Sequence, residues 1–347
     1  MVNFAAMTGS IKDTFNILSK LNGPRLWNAA KTYGGYYWSR ATKSTLHPGM
    51  PVSVSIEPTT TCNLGCPECP SGLRQFSRET GSLDEDFYKV MIDQLAQKAV
   101  YVLFYFQGEP YINAKFLDMV KYAHNKNLYT ATSTNAHFLN DKNAERTVRS
   151  GLDRLIISID GTTQEVYEQY RKGGKLDRVI AGTKKIIEWK KKLKSATPHV
   201  IFQFLVVKPN EHQIDEVKKL GNELGVDEVR LKTAQVYDYE NGNPLIPESQ
   251  KYSRYRKLPN GKYEVKNSLD DHCKRMWTGC VITWDGLVVP CCFDKDATHQ
   301  MGDLKTTPFQ DIWNGAAYRN FRKALFTSRS EIDICKNCSE GVKVWEE

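Results

Sequence analysis

Six short apolar runs, at 52–56, 100–106, 128–133, 155–159, 200–207 and 228–232, alternate with amphipathic segments along one stretch of this chain. The intervening segments at 83–96, 115–124, 164–170, 181–194 and 213–224 carry apolar residues at helical spacing. Strand followed by helix, repeated, points to a parallel sheet with helices packed outside it. The expected fold class is α/β. In parallel barrels the chemistry gathers at the C-terminal ends of the strands. The residues just past each apolar run are therefore the first candidates for a site.

Directly after the first run stands Cys62-Asn63-Leu64-Gly65-Cys66-Pro67-Glu68-Cys69. Three close thiolates can hold three irons of a cubane iron–sulfur cluster and leave the fourth iron open to a ligand. Zinc is the alternative, because sulfur sites are shared between the two metals. A closed zinc site usually takes four ligands, and no further Cys or nearby His follows Cys69 until Cys273.

Composition narrows the classes. The 347 residues are 40% hydrophobic and 25% charged, as in ordinary globular proteins. No apolar run reaches the ~18 residues of a membrane span, so no membrane partner is expected. Positions 1–10 lack the basic start and apolar core of a signal peptide, and a cytoplasmic location is expected. Nine cysteines in that setting argue for metal ligation, and an odd number suits disulfides poorly. The net charge of +8 sits largely on helix-like stretches such as 184–194. It reads as a solvated face, and nucleic acid is not expected as a partner.

Four regions follow. Residues 1–50 read as a basic, helical cap, broken at Gly23-Pro24 and Gly34-Gly35, with aromatics at Tyr33, Tyr36, Tyr37 and Trp38. Residues 51–233 form the strand–helix core. Residues 234–272 are polar and turn-rich, a linker or active-site cover, with Asn241-Gly242 and Asn260-Gly261 as turn signals. Residues 273–347 form a second module.

The Cys-x3-Cys-x2-Cys spacing after a strand resembles the signature of the radical S-adenosylmethionine (SAM) enzymes. In that family the open iron chelates the amine and carboxylate of SAM. One electron then cleaves SAM to methionine and a 5′-deoxyadenosyl radical, which abstracts hydrogen from the substrate. The resemblance implies an open, partial (βα)6 barrel. Gln107-Gly108-Glu109-Pro110, after the second run, resembles the Gly-Gly-Glu-Pro motif that holds the methionyl amine, with Gln107 in place of the first glycine. Ser133 and Asn135 resemble the ribose-contacting stretch. Ser158 and Asp160, with Arg171 downstream, resemble the groups facing SAM's carboxylate and ribose. Val206, in the fifth run, is expected to pack on the adenine. Glu68 departs from the family, in which an aromatic residue often precedes the third cysteine.

The remaining cysteines are 273, 280, 291, 292, 335 and 338. Residues 281–290 read as a β-hairpin turning at Asp285-Gly286, and 308–326 as helical. The stretch resembles the twitch/SPASM extension that carries auxiliary clusters. Three cysteines for the SAM cluster and four for one auxiliary 4Fe-4S cluster make seven; a second auxiliary cluster would raise this to eleven, more than the nine present. By resemblance Cys273, Cys291, Cys335 and Cys338 are the ligands. Cys280 reads as a packed thiol, Cys292 as the substitute ligand, and a four-cysteine zinc ribbon as the alternative.

The resemblance implies an oxidoreductase reduced by a donor such as flavodoxin or ferredoxin. A small alcohol or sugar-like substrate is the first expectation. A peptide- or protein-modifying maturase is the second, and a non-catalytic metal-binding or electron-carrier protein the third. Lys232, at the end of the sixth run, is the candidate base.

Overall fold

The computed structural model of the protein describes residues 4–266 and 269–338. Positions 1–3 of the expected cap, 267–268 of the expected cover and 339–347 of the second module lie outside the described residues. Two helices open the chain, α1 (Phe4–Ser19) and α2 (Gly23–Thr42). The core then runs β1 (Ser53–Ile56), α3 (Pro70–Leu73), α4 (Glu85–Leu95), β2 (Tyr101–Phe104), α5 (Phe116–Asn125) and β3 (Tyr129–Thr134). It continues through α6 (Asp141–Arg149), β4 (Arg154–Ser158), α7 (Gln164–Tyr170), α8 (Leu176–Lys192), β5 (His199–Val206), α9 (Ile214–Leu224) and β6 (Glu228–Thr233). Strands β1 to β6 pair in sequence, each parallel to the next.

Period-two alternation explains which way each strand faces. Val102 and Phe104, Leu155 and Ile157, and Phe202, Phe204 and Val206 are fully buried in the main core. They pack there with Met91, Ile92 and Leu95 of α4, Met119 and Val120 of α5, and Val179 and Ile186 of α8. Residues of the opposite parity (Ser133, Ser158, Leu205, Lys232) are left for the inner side of the curved sheet.

The second module does not stand apart from this sheet. After a hairpin of β7 (Tyr255–Lys257) and β8 (Tyr263–Val265) and the short α10 (Arg275–Thr278), strand β9 (Gly279–Ile282) pairs parallel to β1, Ser53 opposite Gly279. Strands β10 (Leu287–Val289) and β11 (Gly302–Asp303) follow antiparallel, and α11 (Phe309–Trp313) and α12 (Ala316–Ser328) complete the described chain. The sheet order is β11-β10-β9-β1-β2-β3-β4-β5-β6.

Helix α2 runs through Gly34-Gly35, where the sequence suggested a break. Two glycines cost helix propensity, but tertiary packing requires one of them. A Cβ on Gly35 would lie 2.6 Å from Pro48 Cδ and 3.2 Å from the Leu46 carbonyl oxygen. Helices α1 and α2 form the floor of the barrel, at the N-terminal strand ends. Asp13 pairs with Arg154 and accepts from the Tyr129 hydroxyl, and Lys20 lies 3.3 Å from Asp153. Arg25, almost fully buried, donates five hydrogen bonds to four carbonyl oxygens, of Lys20, Ala96 (twice), Lys126 and Asn127. Arg25→Ala would strand these buried acceptors and should cost about 2–3 kcal/mol. A urea midpoint unchanged from wild type would disprove this.

Candidate active site at the barrel mouth

The cysteine loop leaves β1 through Glu57, which is fully buried and clamped by Arg78 at 2.9 and 2.6 Å. Cys69 is the N-cap of α3, so the third thiol sits where the helix begins. Each thiol meets a polar group from a different segment, two at strand ends and one after a helix. Gln107 Oε1, beyond β2, is 3.9 Å from Cys69 Sγ, and Asn135 Nδ2, beyond β3, is 3.9 Å from Cys62 Sγ. Arg171 Nη1, after α7, is 3.8 Å from Cys66 Sγ. Burial pushes the Cys62 thiol up to about 11, and the charges of Glu109, Cys66 and Cys69 add to this against a backbone hydrogen bond at Leu64. Among the described residues no three His, Cys, Asp or Glu side chains close around a single ion. Ligands of a cubane sit on separate irons and stand wider apart than the ligands of one ion.

Glu109 ties the loop to the sheet. Its backbone N–H donates to Thr61 O at 2.8 Å. Its carboxylate accepts from Thr134 Oγ1 at 2.7 Å, Asn135 N at 2.8 Å and Tyr111 N at 3.3 Å. Burial pushes its pKa up to about 7, opposed by these donors. A carboxylate offers about four acceptor positions, so one is left for a ligand. Ser133 Oγ and Ser158 Oγ lie 3.5 Å apart, and Asn135 also donates to Asn63 Oδ1 at 2.8 Å.

Asp160 is fully buried. One oxygen accepts from Leu205 N at 2.7 Å and the other from Arg171 Nε. Burial raises its pKa against the pull of Arg171. Val206 belongs to the main core and not to the cluster that holds Cys62, Cys66 and Cys69. Its neighbours Leu205 and Val207, of opposite parity, pack in the cluster that contains Leu64 and Cys66. Lys232 shares that inner parity at the end of β6 but is solvent-exposed.

The C-terminal thiols gather around an arginine. Arg329, 3% exposed, has Nη2 3.4 Å from Cys338 Sγ and donates from Nη1 to His272 O at 2.9 Å. Its pKa is raised, against burial, by the thiols of Cys273, Cys338 and Cys335. Cys291 is pushed far up by burial, with Cys292 and then Cys273 adding to the effect. Cys280 lies elsewhere, buried in the main core opposite Val54. Cys292 packs with Phe106, Val289 and Ala297.

The donor chemistry fits what the resemblance implies, three thiols on one loop past β1 and, in the C-terminal module, Cys273 acting electrostatically on both Cys291 and Cys335. The radical SAM superfamily model matches residues 56–221, and the SPASM model, an iron–sulfur cluster-binding domain, matches 273–339. The chain belongs to the radical SAM superfamily. SAM and 4Fe-4S clusters are the cofactors of these two domains, and the fold is the α/β partial barrel of the radical SAM core. The chain is 26% identical over 320 residues to the tungsten-containing aldehyde ferredoxin oxidoreductase cofactor-modifying protein of Pyrococcus furiosus, covering 82% of this chain and 86% of that one. It is also 26% identical over 204 residues to the PqqA peptide cyclase of Gluconobacter oxydans, 58% of this chain and 54% of that one. Among solved structures, Streptococcus suis SuiB bound to S-adenosylmethionine superposes with a TM-score of 0.62 at 16% identity, over 90% of this chain and 77% of that one. BtrN, in complex with AdoMet and 2-DOIA, gives 0.52 at 20% identity, over 86% and 96%.

Several contributors were missed in the sequence. Arg329 carries no motif. Asn210, fully buried, donates to the carbonyls of Asp160 and Leu205 and accepts from Val207 N, locking the end of β5. Glu68 accepts from Tyr237 N at 2.9 Å, and Lys295 Nζ donates to the Tyr237 hydroxyl at 2.7 Å. The acid that replaces the family's aromatic residue thus belongs to a link from the cysteine loop, through the 234–266 segment, to the C-terminal module.

Proposed function

We propose that this radical SAM protein is a maturase that modifies a peptide or a protein-borne group. The observation that carries this reading is the pair of curated relatives, a cofactor-modifying protein aligned over most of both chains and a peptide cyclase. It reverses the preference for a small alcohol or sugar-like substrate. In this reading Cys62, Cys66 and Cys69 hold the SAM cluster, and Cys273, Cys291, Cys335 and Cys338 the auxiliary one. Bound SAM and its cluster supply the 5′-deoxyadenosyl radical. Gln107, Gly108, Glu109, Ser133, Asn135, Ser158, Asp160 and Arg171 surround the cofactor. Glu109 orients through its spare acceptor position, and the Arg171 fork suits a carboxylate. Lys232, exposed at the mouth, takes the substrate proton. A small flavodoxin or ferredoxin in the cytoplasm supplies electrons, and the free cysteines of the described residues suit that reducing compartment.

The test is anaerobic reconstitution followed by dithionite and SAM. About eight irons are expected from two cubanes, with 5′-deoxyadenosine released and the release lost in the Cys62→Ala/Cys66→Ala/Cys69→Ala variant. Short peptides encoded beside the gene are then screened by mass spectrometry. Absence of 5′-deoxyadenosine under every reductant would end the enzyme reading. Turnover of alcohols but of no peptide would restore the small-molecule one.

A further inference from the structure

The floor of the barrel carries an apolar surface that the chemistry at the mouth does not use. Of the thirteen exposed large hydrophobic residues among those described, nine lie between Ile11 and Leu46. On α1, Phe15 and Leu18 project outward, 67% and 50% exposed. On α2, Trp27, Tyr37 and Trp38 do so at 66%, 58% and 60%. Soluble proteins rarely leave so dense an apolar patch uncovered unless something binds it.

The charges on the same helices are one-sided. Between residues 11 and 56 the only acidic residue is Asp13, and it is buried against Arg154. The basic residues Lys20 and Arg25 are likewise buried in the contacts that fasten the helices to the barrel. What remains outside these contacts is Lys12, Arg40 and Lys43, exposed, the last with its Nζ 5.4 Å from the Phe326 ring, and Lys31, half-buried. The outer face is therefore aromatic and cationic, with no exposed acid.

We propose that the outer face of α1 and α2 docks on an anionic lipid bilayer, lying in the headgroup region without crossing it. Tryptophan and tyrosine have apolar bodies and polar tips suited to that depth, and basic side chains beside them are drawn to anionic lipid. A second copy of the chain fits less well, because a symmetric contact would set the same cations against each other with no exposed acid to pair them. The absence of a spanning segment, from which no membrane partner was expected, does not bear on a helix pair lying flat. The helices are fastened at Asp153, Arg154, Ala96 and Lys126, at the N-terminal strand ends. Docking would therefore leave the cysteine loop, at the opposite ends, facing away from the bilayer.

The experiment is flotation of the full, reconstituted chain with vesicles of phosphatidylcholine containing phosphatidylglycerol, against phosphatidylcholine alone. Binding is expected only to the anionic vesicles, weakened by salt, with a blue shift of tryptophan emission. Trp27→Ser/Trp38→Ser and Lys12→Glu/Arg40→Glu should each lower partitioning about tenfold or more. Their far-UV spectrum, thermal midpoint and SAM cleavage should match wild type, because the altered side chains face solvent. No flotation, or equal partitioning of wild type and both variants, would overturn the proposal. So would a concentration-dependent dimer, or a complex with an acidic protein, lost in the same variants without vesicle binding.

Discussion

Asp160→Ala is expected to lower the stability of this protein by about 3–5 kcal/mol, the cost of leaving one member of a buried ion pair alone. Asp160 is fully buried, and Arg171 has only a small exposed fraction beside it. The carboxylate also holds Leu205 N, so its loss strands a backbone donor at the end of β5. The raised pKa of Asp160 shows that burial outweighs the pull of Arg171 on that carboxyl. The pair is thus costly to bury and more costly to break. Arg171 would lose its anchor and with it the position 3.8 Å from Cys66. Asp160→Asn keeps an acceptor for Leu205 N but not the charge, and should fall between wild type and alanine. Urea denaturation under anaerobic conditions measures both, and superimposable curves for wild type and Asp160→Ala would refute the argument.

Much of this fold could be read in advance because its strands are buried on their helix-facing side. All six core strands lie within two residues of their expected ends, since apolar runs of this length bounded by turns leave little choice. Helix α6 escaped notice for the opposite reason. Only Ala144, Thr147 and Val148 are buried along it, and the other residues are polar or charged. The β7–β8 hairpin was hidden in a polar stretch because its strands are three residues each and largely unburied. Tyr255, buried and stacked on Tyr239 at 4.6 Å, holds it down through a contact no periodicity reports. The cysteines and the groups facing them were legible because each lies in, or just downstream of, a short motif that follows a strand, although 38, 73 and 105 residues separate Gln107, Asn135 and Arg171 from their thiols. Arg329 was not, because it belongs to no motif, and only the folded chain turns its guanidinium toward the Cys338 thiol. The placement of Val206 was a matter of parity. A two-residue period assigns it with Phe202 and Phe204 to the core, and Leu205 to the inner face.

Gly108→Ala should damage the SAM cluster site while leaving the C-terminal one intact. Gly108 has φ +73°, and a Cβ there would lie 2.2 Å from the Thr59 carbonyl oxygen and 2.9 Å from that of Thr61. Both obstacles are backbone, so no side chain can swing away to relieve the clash. Its own N–H donates to Ser71 Oγ at 2.9 Å, one residue after α3 begins. The segment from 107 to 109 therefore has to move off the cysteine loop, carrying Gln107 away from Cys69 and Glu109 away from Thr61. A positive φ alone costs an alanine about 1–2 kcal/mol, so the clash needs separating from the conformation. Gly173→Ala provides that control, because Gly173 has φ +76° and nothing within 4 Å of the added carbon. The control should lose only the conformational share of stability and retain its full iron content. Gly108→Ala should lose about half the iron and form 5′-deoxyadenosine about a hundredfold more slowly, the scale expected when reacting groups are displaced by an ångström. Equal iron content and equal rates in the two variants would show that the loop tolerates the extra carbon, and that its contact with the cysteine loop does not position the site.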